Sequence, residues 1–219
     1  MKGFLTVFTS ALVFATFTLA GRAASLPDRL DEAIDIVSQR QGSAYPIPQS
    51  LLDHARGVAI VKVTKAGLVF GGTGGQGVVL ARTATGWSAP SAFNISGGSF
   101  GAQVGFETKR FIIVINSEAA LRLFAGEGET KWDATAAGTA GTDAVHASQS
   151  DWADMPLVVF QDSNGVFGGA TFGGTSVNVD HEANHRAYGP DVYVRDILGG
   201  KFPAGPLGRR LQAVLSGHR

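Results

Sequence analysis

The sequence predicts an α+β fold: a curved, glycine-rich antiparallel β-sheet or partial barrel with flanking helices at both ends. Two patterns and one feature of composition predict it. Apolar residues recur at helical spacing near both ends of the chain, while residues 57–115 read as β-branched runs broken by turn residues. Glycine numbers 30 among 219 residues, about twice the usual ~7%. Glycine weakens a strand entropically, so its repeated use marks places where backbones approach closely or a sheet bends sharply.

Taken in order, Leu26, Leu30, Ala33, Ile34 and Val37 share a helical face with acids between them, which predicts an amphipathic helix over 27–41. Gly42 and Tyr45-Pro46-Ile47-Pro48 end it, and a short helix is expected over 49–55. A strand over 58–63 should turn at Lys65-Ala66-Gly67 and return from residue 68. Further strands over 78–82, 91–96, 99–107 and 111–115 complete a meander. A helix over 117–124 is capped by Ser117 or Asn116, and 126–133 is a polar loop. Residues 134–147, rich in Ala, Gly and Thr, read either as low complexity or as a tightly packed strand. Strands over 157–161 and 166–171 flank Asp162-Ser163-Asn164-Gly165, whose Asn-Gly pair signals a hairpin. A strand over 175–179 and helices over 182–188, 192–198 and 206–215 finish the chain.

Residues 1–23 read as a secretory signal. Met1-Lys2 is a short basic start, residues 4–20 are almost wholly apolar, and Gly21-Arg22-Ala23 offers small residues for cleavage after Ala23. A retained anchor is the other reading; the run falls short of the ~20 residues a spanning helix needs, and Ser10, Thr16 and Thr18 dilute it. One domain over 24–219 is then expected, exported to a periplasmic or extracellular space. The absence of cysteine excludes disulfides, thiolate metal sites and cysteine nucleophiles. At 44% hydrophobic and 16% charged, the chain can build a core without cross-links. Its 18 basic and 18 acidic residues balance, which argues against a general nucleic-acid binder. The charge is uneven all the same. Asp28, Asp31, Glu32 and Asp35 crowd the first helix, while Arg195, Lys201, Arg209, Arg210 and Arg219 gather near the C-terminus.

Three catalytic patterns occur. Gly72-Thr73-Gly74-Gly75-Gln76-Gly77 matches the dinucleotide fingerprint, but Val78-Val79-Leu80 continues as a strand where that motif needs a helix. Gly97-Gly98-Ser99-Phe100-Gly101 matches the nucleophile elbow of hydrolases, again without a following helix. His181-Glu182-Ala183-Asn184-His185 is an H-E-x-x-H on a predicted helix, so a zinc hydrolase is kept as an alternative. Its ligands would be His181, His185 and Asp191, with Glu182 as base. The favoured reading has exposed histidines on a helix capped by Asp180.

Ala55-Arg56-Gly57-Val58-Ala59-Ile60, Lys65-Ala66-Gly67, Gly75-Gln76-Gly77-Val78, Trp87-Ser88-Ala89-Pro90 and Gly101-Ala102-Gln103-Val104-Gly105 stand in the order of the SYLF family. Ala183-Asn184-His185-Arg186-Ala187-Tyr188-Gly189 is similar to that family's A-N-x-x-F-Y-G segment. The chain resembles the family over roughly residues 49–198. The resemblance implies a non-enzymatic, lipid-binding protein that needs no cofactor. Its partners would be anionic phospholipids at a membrane surface and, in eukaryotic members, phosphoinositides and actin filaments. Export would separate this chain from the last two. A structural or protein-interaction module of the cell envelope is the remaining alternative. The family's lipid binding is associated with an amphipathic N-terminal segment and basic residues. The N-terminal helix here is acidic, so the candidates become Lys65, Lys62, Arg56, Arg209 and Arg210. Gly75, Gly77, Gly101 and Gly105 are expected to be structural, and Trp87 to supply core and turn.

Overall fold

A computed structural model describes residues 24–67, 70–100, 105–126, 151–161, 165–168 and 175–217. The signal-like segment, Gly101, the stretch 134–147 and the Asp162–Asn164 part of the hairpin lie outside the described residues.

The chain enters through α1 (Leu26–Gln41) and α2 (Gln49–His54), then forms β1 (Gly57–Gly67), β2 (Phe70–Thr83), the two-residue β3 (Gly86–Trp87), β4 (Ser91–Phe100) and β5 (Gly105–Ile115). Helix α3 (Glu118–Phe124) and a 3-10 turn at Asp151–Asp154 lead to β6 (Leu157–Gln161), β7 (Gly165–Gly168) and β8 (Thr175–Val179). Helices α4 (His181–Tyr188), α5 (Val194–Leu198) and α6 (Gly205–Leu215) end it. Seven strands form one open sheet in the order β7-β6-β5-β1-β2-β4-β8, with β3 hydrogen-bonded to β2, and every pairing is antiparallel. The expected α+β fold with helices at both ends is observed.

Two expectations need correction. Lys65-Ala66-Gly67 is not a turn: β1 runs through it, paired with Gly71 at Gly67, and β2 begins eight residues earlier than its apolar run suggests. The meander also breaks after β4. Phe100 pairs with Phe70 on β2, whereas Gly105 pairs with Gly67 on β1, so the chain passes from one flank of the β1–β2 hairpin to the other. A pattern of single strands cannot report this, because which strand pairs with which is a non-local property.

Both faces of the sheet are covered. Val58, Ile60, Val78, Leu80, Ile112 and Val114 face α1, α2 and α6, while Ala59, Val61, Val79, Phe93, Ile113 and Ile115 face α3 and α5. Two-residue periodicity assigns each strand residue to one side. Helix α1 starts with a capping box, Ser25 accepting from the Asp28 amide while the Asp28 carboxylate accepts from the Ser25 amide, and Pro27 sits in its first turn. Its buried stripe contains all five apolar residues expected from the spacing, and Ile36 in addition.

The glycines of β2 divide by face. A Cβ at Gly77 would lie 2.3 Å from the Ile60 carbonyl oxygen and 2.8 Å from the Phe93 ring. Phe93, fully buried and opposite Gly77 in register, can lie over β2 only because nothing projects there. Its ring meets Phe124 of α3 edge-on, with centroids 5.0 Å apart. Gly75 is tight as well, with Val63 Cγ2 at 3.0 Å, whereas Gly72 and Gly74 on the other face have open space above them. We therefore expect Gly77→Val to destabilise by about 1–3 kcal/mol or more through overpacking, despite valine's strand propensity. Gly74→Ala should stay within about 0.5 kcal/mol. Thermal melts resolve this difference, since 1 kcal/mol moves the midpoint of a domain this size by roughly 2–4 °C.

Candidate functional site

Helix α1 crosses its face of the sheet diagonally, and its charged residues pin it to successive strands. Arg29, 4% exposed, donates through Nη1 to the Phe93 carbonyl at 2.8 Å and through Nε to the Ala24 carbonyl at 3.0 Å. Its Nη2 pairs with the Asp180 carboxylate. One turn on, Glu32 pairs with Lys62 of β1 at 3.0 Å and with Arg110 of β5 at 3.1 Å. Arg40 donates to the Gln161 carbonyl of β6 at 3.2 Å and lies over the Phe160 ring at 5.1 Å. Among the acids of α1, Glu32 thus engages two cations beneath the helix.

Asp180 joins three elements. It takes the Arg29 guanidinium from α1, accepts from Asn94 of β4 at 3.1 Å, and caps α4 by accepting from the Ala183 amide at 2.9 Å. Burial pushes its carboxyl pKa up, but the Ala183 and Asn94 hydrogen bonds and the Arg29 charge outweigh burial and hold it below the ordinary value.

Two of the segments that carry the SYLF resemblance, Trp87–Pro90 and Ala183–Gly189, serve here as scaffold. Asn184, 1% exposed, completes the pairing of β4: its side-chain oxygen accepts from the Ala92 amide at 2.8 Å, and its nitrogen donates to the Ala92 carbonyl and Ser91 Oγ. Tyr188 donates to the Pro90 carbonyl at 2.6 Å, and burial holds its phenol well above the ordinary range, so it remains a neutral donor. Ser88 accepts from the Ala81 amide, and Gln212 of α6 donates to the carbonyls of Trp87 and Ser88 at 2.8 and 2.9 Å. Trp87 is buried under the Arg82 guanidinium at 3.7 Å, so it serves the core as expected. Arg29 and Asn184 escaped the sequence reading. Their signal was a polar residue on the buried stripe of each helix.

The five cationic candidates fall in different places. Lys62 points toward α1 and is engaged by Glu32. Lys65, three residues on, points to the opposite face of β1 and lies across from Glu107 in register. Arg56 is exposed at the other end of β1, ~30 Å from Lys65 along an extended strand. Arg209 and Arg210 are exposed on α6, whose Gly208, Leu211 and Leu215 pack inward. The C-terminal end of α6 reaches the Arg56 end of the sheet, where Gln49 donates to the Leu215 carbonyl at 3.2 Å. Arg209 and Arg210 therefore lie on a helix at the Arg56 end of the sheet, and Lys65 lies at the opposite end of β1.

The remaining motifs fare differently. Gly72–Gly77 and Gly97–Phe100 are strand residues in β2 and β4; β2 runs on to Thr83, and the next described element after β4 is the strand β5. His181 and His185 are exposed on α4 with ring centroids 6.1 Å apart, beside a depression of 370 Å³ that Asp191 also lines. Glu182 pairs with Arg186. Among the described residues no three His, Asp or Glu side chains are grouped to hold a metal ion.

Comparison with known proteins decides the family. Residues 96–218 match the Ysc84 family model, described as "Las17-binding protein actin regulator". The chain belongs to the Ysc84 family. This is the SYLF-type membership that the motifs imply. The chain is 34% identical over 179 residues to Protein YSC84 of Saccharomyces cerevisiae, covering 80% of this chain and 38% of that protein. It is 32% identical over 170 residues to LAS seventeen-binding protein 3 of the same yeast, covering 75% of this chain and 37% of the relative. With the mouse SH3 domain-containing YSC84-like protein 1 it shares 30% identity over 184 residues, 82% of this chain and 54% of that protein. The Ysc84-family chain thus spans about half or less of the length of these relatives. Among its described residues no helix is long and apolar enough to cross a membrane.

Removing one partner of a buried ion pair leaves an uncompensated charge, so Asp180→Ala should cost about 3–5 kcal/mol of stability. The contribution of Asp180 should be fully present above its unfolded pKa of about 3.9 and decline as pH falls through the lower folded value. Urea unfolding of wild type and Asp180→Asn between pH 7 and pH 2 checks this: the gap between them should close only below about pH 4.

Proposed function

We propose that this Ysc84-family chain is a non-catalytic module that attaches to anionic phospholipid surfaces through α6 and the adjoining Arg56. The observation that carries the reading is the placement of Arg209 and Arg210, exposed on the outer side of α6, with no ion-pair partner among the described residues. Each such cation near an anionic bilayer contributes ~1 kcal/mol. Lys65 faces the other side of the sheet and Lys62 is engaged by Glu32, so a flat surface that meets α6 does not meet them. If residues 1–23 direct export and are cleaved, the ligands are the headgroups of an exported-side membrane. A second reading is favoured by the relatives' names, which describe binding to Las17 and regulation of actin: the same surface would then bind an acidic protein.

Co-sedimentation of residues 24–219 with vesicles of phosphatidylcholine, alone or mixed with phosphatidylglycerol, separates these readings. We expect binding only to the anionic vesicles, declining with salt as the ~10 Å Debye length at 0.1 M shortens. Reversing Arg209 and Arg210 to Glu should weaken it at least about tenfold, while Lys65→Glu leaves it within about twofold. Equal binding to both vesicle types would contradict the electrostatic reading, and binding to neither would favour the protein-partner reading.

A further inference from the structure

Beside the cationic face of α6 lies an apolar groove of 870 Å³, within the ~300–1,000 Å³ of typical ligand sites. Leu26 and Leu30 of α1, Ala187 of α4, and Phe202, Pro203 and Leu207 before and within α6 line it. Its back wall is rigid: Tyr188 is held by the Pro90 carbonyl, and its ring meets Phe202 edge-on with centroids 5.5 Å apart. Such a wall keeps the groove open without a ligand.

The mouth of the groove is cationic. Arg186 lines it, and its pairing with Glu182 one turn earlier is exposed, an interaction worth little in water and readily exchanged for another anion. Helix α6 begins in the groove wall with no side-chain cap and no acid in its first turn, leaving the positive end of its dipole open on that side. Arg209 and Arg210 follow immediately along the same helix. An apolar slot with Arg186 in its lining and the start of α6 in its wall is complementary to an amphiphile with an anionic head.

We propose that the groove takes an acyl chain of an anionic phospholipid, with Arg186 holding the headgroup phosphate at the mouth. This deepens the membrane reading above and rests on it. Electrostatic adsorption through Arg209 and Arg210 brings the protein to the bilayer, and the groove then withdraws one chain from it. The apolar walls favour burial of the chain methylene by methylene, and the phosphate replaces Glu182 as partner of Arg186.

The test uses residues 24–219 and dihexanoyl phosphatidylglycerol below its micelle concentration, so that no bilayer is present. Titration by calorimetry and by amide NMR is expected to give a single site, with the largest shifts at Ala187, Leu207 and the residues around Phe202. Ala187 is exposed, so Ala187→Trp fills the groove from outside the core. It should weaken binding at least about tenfold while keeping the wild-type melting temperature and its adsorption to anionic vesicles. Arg186→Glu, a second variant at an exposed position, should weaken the anionic lipid similarly, and dihexanoyl phosphatidylcholine should bind wild type less tightly than the anionic lipid. Wild-type affinity in a folded Ala187→Trp variant would overturn the groove assignment. So would vesicle adsorption without any binding of the monomeric lipid, a result that leaves the membrane reading standing. Binding to neither lipid form would overturn both.

Discussion

The buried pairing of Arg29 with Asp180 is the constraint on which the arrangement of this protein depends. It joins α1 to the junction between β8 and α4. Desolvating two charges costs several kcal/mol per ion, and the cost is offset only when the remaining hydrogen-bonding groups are used. Here they are used: Arg29 also donates to Phe93 and Ala24, and Asp180 also accepts from Asn94 and Ala183. Because the partners lie on α1, β4 and the start of α4, the pair can form only when sheet, first helix and C-terminal helices are assembled together. An apolar pair of the same size would pack in several registers, whereas this one specifies a single position for α1.

The second constraint is the space left above the sheet. With helices on both faces, the sheet must accept large rings on one side without splitting its pairing. Gly77 gives Phe93 that room, and Phe93 in turn meets Phe124, so one missing Cβ sets the docking of α3. The same close packing accounts for Gly75 as well as Gly77, whereas Gly72 and Gly74 of the same strand face open space. The helices over the other face end at the cationic and apolar surfaces considered for lipid. Function in this reading is therefore located on the covering layer and not on the sheet whose motifs tempt a catalytic interpretation.

The parts of the fold legible in the sequence were those governed by local rules. The stripe of α1, the bounds of Leu157–Gln161 and Thr175–Val179, the Ser117 and Asp180 caps and the amphipathic α6 all follow from spacing and capping within a few residues. The length of β2 was hidden because Gly71–Gly77 looks like a turn until its partners on β1 and β4 are known. The placement of β5 beside β1 was hidden for the same non-local reason. Among the candidate cations, identity was readable but grouping was not. Lys62 and Lys65 look adjacent, yet an odd spacing on a strand sends them to opposite faces, and the partner of Lys62 lies thirty residues away on α1. Of the family motifs, Trp87–Pro90 and Ala183–Gly189 prove to carry contacts that hold α6 and α4 to the end of the sheet.

In the proposed reading the α6 side of this fold, and not the Lys65 tip of the β1–β2 hairpin, meets the membrane. Amide hydrogen exchange of the protein with and without anionic vesicles tests it most directly, because protection is read segment by segment without altering any residue. Slowed exchange is expected in α6 and around Arg56, with β1 near Lys65 unchanged. Protection confined to the Lys65 end, with α6 exchanging as in free protein, would contradict it.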